Sequence, residues 1–347
     1  MRAPVAYVAA ILIAGCGDGG TDPTVASRNY RMGFSALPPG NDQVVVFQSL
    51  ELWSQRADAA ILHISIPYAQ LLAGASATTI IQRDHRDLVN YHRGKGQAIT
   101  VMLDLTDGLN RAAEAPELVS LGRSLTEPSV QGVVRQYALA IARELAPTWL
   151  GLAAETNLIR AIAPASVYGA VKQTANAAAA DLRAAGLGTN LHVSVQVETA
   201  WGWVTPGGGY VGIAQDLSDF PFIEVLGLSS YPYFVFADPD DIPLDYYARI
   251  RADAGKPVLV VEGGWTSSTI GGIASSPETQ RRYIAKQARL LDEAEAELVV
   301  QLTFTDLDLS VYPASAAPFA FLGLVGTSLQ PKPALASWDS LFAIPRR

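Results

Sequence analysis

This chain of 347 residues is short of several residue types, and each shortage excludes something. A single cysteine rules out an intrachain disulfide framework and any cysteine-rich metal site. Only 17% of the residues are charged, with a net charge of −8. An acidic balance of this kind carries no electrostatic footprint for nucleic acid or anionic lipid. Four histidines are spread along the chain without forming a metal triad, so no metal or cofactor is expected. No internal repeat and no break in composition marks a second domain. What is present is ordinary globular material: 49% hydrophobic and 8% aromatic residues, enough for a large core. That excludes a disordered, collagen-like or coiled-coil chain.

The one long apolar run is at the start. Arg2 is followed by an apolar stretch from Ala3 to Gly15, shorter than the roughly 20 residues of a membrane-spanning helix. Ile13-Ala14-Gly15-Cys16 resembles a bacterial lipobox, in which the cysteine becomes the lipidated first residue. The alternative is a plain secretory signal with a chance cysteine. The expected organisation is a lipoprotein signal peptide over 1–15, lipidation at Cys16, a flexible tether over 16–27 and one folded domain over 28–347. Such a protein would sit in the bacterial cell envelope, lipid-anchored and facing the periplasm or the exterior.

Eight apolar runs read as strands: Tyr30–Ser35, Ala59–Pro67, Gln97–Leu105, Trp149–Glu155, Leu191–Glu198, Phe222–Tyr231, Pro257–Glu262 and Leu298–Thr305. Helical patterns separate most of them, including Ser129–Leu145, Ser166–Ala185, Leu244–Ala254 and a helix opened by Ser276-Pro277-Glu278. Eight β/α units predict a single (β/α)8 barrel, an α/β fold, with a doubly wound open sheet as runner-up. Alternation along Leu191–Glu198 puts Leu191, Val193, Val195 and Val197 on one face and His192, Ser194, Gln196 and Glu198 on the other. The same parity groups Gly151, Ala153 and Glu155, and likewise Val258, Val260 and Glu262, as inward-facing sets. Polar residues then gather at the strands' C-terminal ends, where barrel active sites lie.

Glu155 and Glu262 are the strongest catalytic candidates. Each closes an apolar strand, where burial makes a lone charge costly. Glycoside hydrolysis needs such a pair, one as proton donor and one as nucleophile or base, and the two are expected to face each other across the barrel mouth. Trp201, Trp203 and Trp265 follow strand ends and are expected to stack on sugar faces. Glu198 is a third strand-end carboxylate placed to contact substrate, and Asp306 and Asp308 are further rim candidates. Tyr231 is placed to donate a hydrogen bond to Glu262.

With these residues the chain resembles a clan A glycoside hydrolase. The resemblance implies an acid/base at the end of strand four, Glu155, and a nucleophile at the end of strand seven, Glu262. Glu155-Thr156-Asn157 matches the clan's Glu-x-Asn pattern. Gly227-Leu228-Ser229-Ser230-Tyr231-Pro232-Tyr233 and Glu262-Gly263-Gly264-Trp265 are similar to segments of family 53, the endo-β-1,4-galactanases, as is Met102-Leu103-Asp104. It implies substrate contacts by Asn157, Tyr231, Tyr233, Trp265 and Asp104, and a retaining mechanism with no cofactor. The chain departs from the pattern at Ala154, where the clan places asparagine. Strand two lacks the clan's arginine, strand three lacks family 53's histidine, and Phe304 stands where a tryptophan is common.

Other motifs carry less. Gly207–Gly212 fits a dinucleotide-binding spacing but has no strand–turn–helix context. Asp84, His85, Asp87 and His92 read as a solvated helix face. His63 and His192 are isolated strand histidines. Two functions therefore remain: a retaining β-glycosidase acting on extracellular poly- or oligosaccharide, or a carbohydrate-binding surface lipoprotein on a barrel without catalysis. Either would be a monomer whose partners are a carbohydrate and a membrane, with no nucleic acid.

Overall fold

The computed structural model describes residues 27–203 and 208–347. The signal peptide, Cys16 and almost all of the tether lie outside the described residues, as does Gly207. Among the described residues no helix is long and apolar enough to cross a membrane.

Eight parallel strands form the barrel: β1 (Arg31–Ser35), β2 (Ala59–Ser65), β3 (Ala98–Asp104), β4 (Trp149–Gly151), β5 (Asn190–His192 continuing as Ser194–Gln196), β6 (Leu226–Ser230), β7 (Val258–Gly263) and β8 (Leu298–Gln301). The sheet runs β5-β4-β3-β2-β1-β8-β7-β6 and returns to β5. The first half of β5 pairs with β4 and the second half with β6. Between the halves, the Val193 carbonyl accepts the Gly227 N–H at 2.9 Å. That shared strand closes the sheet and decides for the barrel over an open doubly wound sheet.

Side-chain alternation sorts the core into two parts. Ala59, Ile61, Met102, Trp149, Leu259, Val261, Leu298 and Val300 fill the barrel. Leu62, Val101, Leu150, Val193, Val258 and Val299 pack with residues of the outer helices. The helices follow their predicted punctuation. Pro128–Leu145 ends at Ala146, Ala165–Ala184 stops before Gly186, and the Ser276 side chain caps Pro277–Glu293 by accepting the Thr279 N–H at 3.1 Å. The Leu244 pattern shortens to the helix Ala248–Ala254.

Three expectations are corrected by the backbone. β4 stops at Gly151, and Glu155 lies beyond a bend in the left-handed region, at φ 49° and ψ 47°. β5 ends at Gln196, so Glu198 sits on the one-turn helix Val197–Ala200. Val258 and Val260 face outward, so simple parity would put Glu262 outside as well. The register of β7 on β6 shifts between Val260 and Glu262, so Val261 and Glu262 together oppose Ser229. This bulge turns Glu262 inward. The glycines after it are needed for close approach: a Cβ on Gly263 would collide with the Ser230 carbonyl, and one on Gly264 would meet Gln301.

The Asp84–His92 stretch is a fourth correction. It forms two helices, Ala77–Asp84 and Arg86–Gly94. Asp87 is exposed, but His92 is buried, hydrogen-bonded to Gln97 at 2.7 Å and stacked on Trp53. It is core, because the second helix turns its apolar face and His92 inward.

Candidate active site

A cavity of about 400 Å³ opens at the C-terminal end of the barrel. Glu262, Tyr231, His63, Asp104 and Arg111 are among the residues that line it. Arg111 comes from a two-stranded hairpin, Thr106–Asp107 with Asn110–Glu114, that follows β3.

Glu262 accepts the Tyr231 hydroxyl at 2.5 Å. Its other oxygen lies 3.8 Å from His63 Nε2. Burial and the nearby Arg111 charge lower the His63 pKa to about 4, so at neutral pH this contact is not an ion pair. The other His63 nitrogen meets Ser35 Oγ at 3.1 Å. Burial, reinforced by the negative charge of Glu155, pushes the Glu262 carboxyl up to about 7, against the pull of Arg111 and the Tyr231 hydrogen bond. Burial and Glu155 together thus favour the protonated form of Glu262.

Glu155 is held differently. Its Oε2 accepts Arg111 Nε at 2.8 Å, and its Oε1 accepts Ser229 Oγ at 2.7 Å and Gln196 Nε2 at 3.4 Å. The Ser194 hydroxyl takes its N–H at 2.9 Å and fixes the left-handed backbone. Arg111 also donates to Asp104 at 2.5 Å and Thr106 at 3.3 Å. Burial opposes the Arg111 charge, but Asp104, Glu155 and Glu262 together raise its pKa. Every partner of the Glu155 carboxyl group is a donor. Glu155 does not line the cavity; Arg111 does.

The remaining predicted residues divide sharply. Tyr231 and Asp104 line the cavity. Asn157 is buried and spent on the backbone, pairing with the Gln196 carbonyl at 2.8 Å and N–H at 2.7 Å. Tyr233 packs edge-on against Tyr231 and donates to the Pro318 carbonyl. Glu198 is fully buried behind Tyr231, accepting its N–H at 2.8 Å and the Tyr246 hydroxyl at 2.6 Å. Burial raises its pKa to about 7. The expected tryptophan platform is absent from the cavity wall. Trp201 and Trp203 stack on each other, and Trp265 is buried with its Nε1 on Ser275. Asp306 is paired with Lys332, and Asp308 caps an exposed turn at Ser310. His192 lies inside the barrel, near where Gly151 and Gly227 leave it room.

Sequence reasoning missed Arg111, Ser229, Tyr312 and Phe319. A lone arginine in a polar hairpin carries no pattern. Ser229, though, shares the inward parity of β6 and stood inside a quoted motif. Among the described residues no group of three or more His, Cys, Asp or Glu side chains is placed to hold a metal ion.

No protein-family model matches the chain, and no curated protein matches it. Solved structures do. The exo-β-1,4-mannosidase Op5Man5 from Opitutaceae bacterium strain TAV5 is similar at TM-score 0.69 and 16% identity, over 91% of this chain and 59% of that one. GH5_18 from Bifidobacterium longum subsp. longum, in complex with Manβ1-4GlcNAc, is similar at TM-score 0.62 and 16% identity, over 92% and 80%. A β-glucuronidase from Ruminococcus gnavus reaches TM-score 0.56 at 14% identity, over 90% and 50%. This chain thus spans little more than half of the mannosidase and half of the glucuronidase. The likeness is one of fold: a (β/α)8 barrel shared with these glycoside hydrolases, without singling out family 53.

Proposed function

We propose that the chain is a retaining β-glycoside hydrolase of clan A type, with Glu262 as nucleophile and Glu155 as acid/base. The observation that carries this reading is Glu262 in an open cavity, gripped by the Tyr231 hydroxyl and joined to Glu155 through the field of Arg111. In the first step Glu262 attacks the anomeric carbon and the leaving oxygen takes a proton from Glu155. In the second, water gives its proton to Glu155 and its oxygen to the anomeric carbon, releasing Glu262. Glu155 acts in this way once Arg111 yields its place to the leaving oxygen. The motif likeness to family 53 supports a β-linked glycoside outside the cell as substrate.

The test is an azide rescue. Glu262→Ala should lose turnover on every glycoside of a β-linked panel, and azide should restore it with inverted product. Glu155→Ala should still react with good leaving groups, and azide should then give retained product. Swapped products would swap the roles, and full activity in both variants would end the proposal. One observation favours a second reading, a binding barrel without catalysis: Arg111 covers Glu155. Sugar binding without turnover in the unmodified protein would select it. The lipobox supports a lipid anchor to the cell envelope through Cys16; unchanged membrane fractionation of Cys16→Ser would refute it.

A further inference from the structure

The surface of the cavity that holds Glu262 is more apolar than polar. His63, Ser35, Asp104 and Arg111 gather near the carboxylate and suit the hydroxyls of one sugar ring. Leu37, Ile66, Leu109, Leu302, Leu307 and Phe319 supply apolar wall, among Ser65, Thr106, Asp107, Glu117 and Tyr312. Two of these stay open to solvent, Leu37 at 38% and Leu109 at 42% exposure. They stand on separate lips. Leu37 belongs to the β1 loop, which is tied to the β8 loop by Asp308 N–H to Pro39 carbonyl at 2.8 Å and by Tyr312 to Pro38. Leu109 tips the hairpin that brings Arg111 to Glu155, beside the carboxyl that serves the leaving oxygen. Exposed apolar side chains continuous with a ligand cavity mark an apolar ligand surface. The three strand-end tryptophans are packed away, which leaves Tyr231, Tyr312 and Phe319 as the aromatic side chains of the cavity.

Resting on the glycosidase reading, we infer that the preferred substrate is a β-glycoside of one sugar with an apolar alkyl or aryl aglycone, held between the Leu37 and Leu109 lips. The experiment is equilibrium binding of hydrolysis-resistant methyl and octyl β-thioglycosides of glucose, galactose and mannose, below micelle-forming concentrations. For at least one sugar the octyl compound should bind about tenfold or more tighter than the methyl compound, as burying two methylenes would give. Leu37→Asp and Leu109→Asp, both at exposed positions, should each weaken octyl binding far more than methyl binding and so erase most of that gain. Equal affinity of the methyl and octyl forms, or an octyl advantage that persists in both variants, overturns the inference while the glycosidase reading stands. If no methyl glycoside binds and a sugar-free octyl ether binds as well as the octyl glycosides, both fall.

Discussion

Two carboxylates that look alike in the sequence are built as opposites in the barrel. Glu262, on the β7 side, has one strong donor, a view of the cavity and a pKa raised to about 7. Glu155, on the β4 side, is sealed behind Arg111 and takes three donors. Their backbones differ too: a bulge turns Glu262 inward, whereas Glu155 reaches the site through a left-handed residue beyond its strand. Of the four non-glycine residues with positive φ among the described residues, Glu155 alone sits in the site, and Ala146 and Glu295 end helices. Such a conformation costs on the order of 1–3 kcal/mol and persists only where its surroundings enforce it. The lesson is that position at a strand end selects candidates, while the neighbours decide what each can do. One side is poised to titrate and the other is held by an ion pair.

The largest test breaks the β4 side. Arg111→Met leaves Glu155 and Asp104 without their cation, in a place where the Glu155 side chain is 7% exposed. Removing one partner of a buried pair costs about 3–5 kcal/mol, because the remaining charge stays desolvated. Urea denaturation should show that loss, and adding Glu155→Gln should recover much of it, since the two groups are coupled. A stability within about 0.5 kcal/mol of the parent would mean that Arg111 does not hold this side together.

How much of this was legible follows from what patterns encode. The barrel was, because eight apolar strands separated by helices leave few other ways to cover a parallel sheet. The β5 alternation gave the inward His192, Ser194 and Gln196 correctly. Parity failed on β7, where Val258 and Val260 face the helices. Glu262 enters the site only through a bulge, which inserts a residue and leaves no mark in a run of valines. The tryptophans misled because an aromatic after a strand end fits packing as well as stacking. Trp201 and Trp203 satisfy each other and Tyr246. Arg111 was invisible for another reason. Its partners lie 7 and 44 residues away, and only the hairpin fold brings them together.

A smaller effect sharpens the β7 side, where protons rather than fixed charges set the energy. Glu262 and the fully buried Glu198 both have pKa values raised from 4.5 to about 7, burial being the largest cause. Facing them are Tyr231, Tyr246, Arg111, Glu155 and Asp104, with His63 neutral in this range. A carboxyl whose folded pKa lies above its unfolded one binds more protons in the folded state between the two values. Its stabilising contribution is therefore complete below pH 4.5 and fades as pH rises through 7. In denaturation curves from pH 4.5 to 8 the stability of the parent relative to Glu262→Gln, and relative to Glu198→Gln, should fall with rising pH, over a background in which the buried His63 and His192, both lowered to about 4, favour the fold as pH rises. Turnover should move the other way, rising through pH 7 as Glu262 ionises and can attack. An unchanged slope in Glu262→Gln would show that the group is already ionised at low pH, and the contrast between the two sides would then have to rest on Arg111 alone.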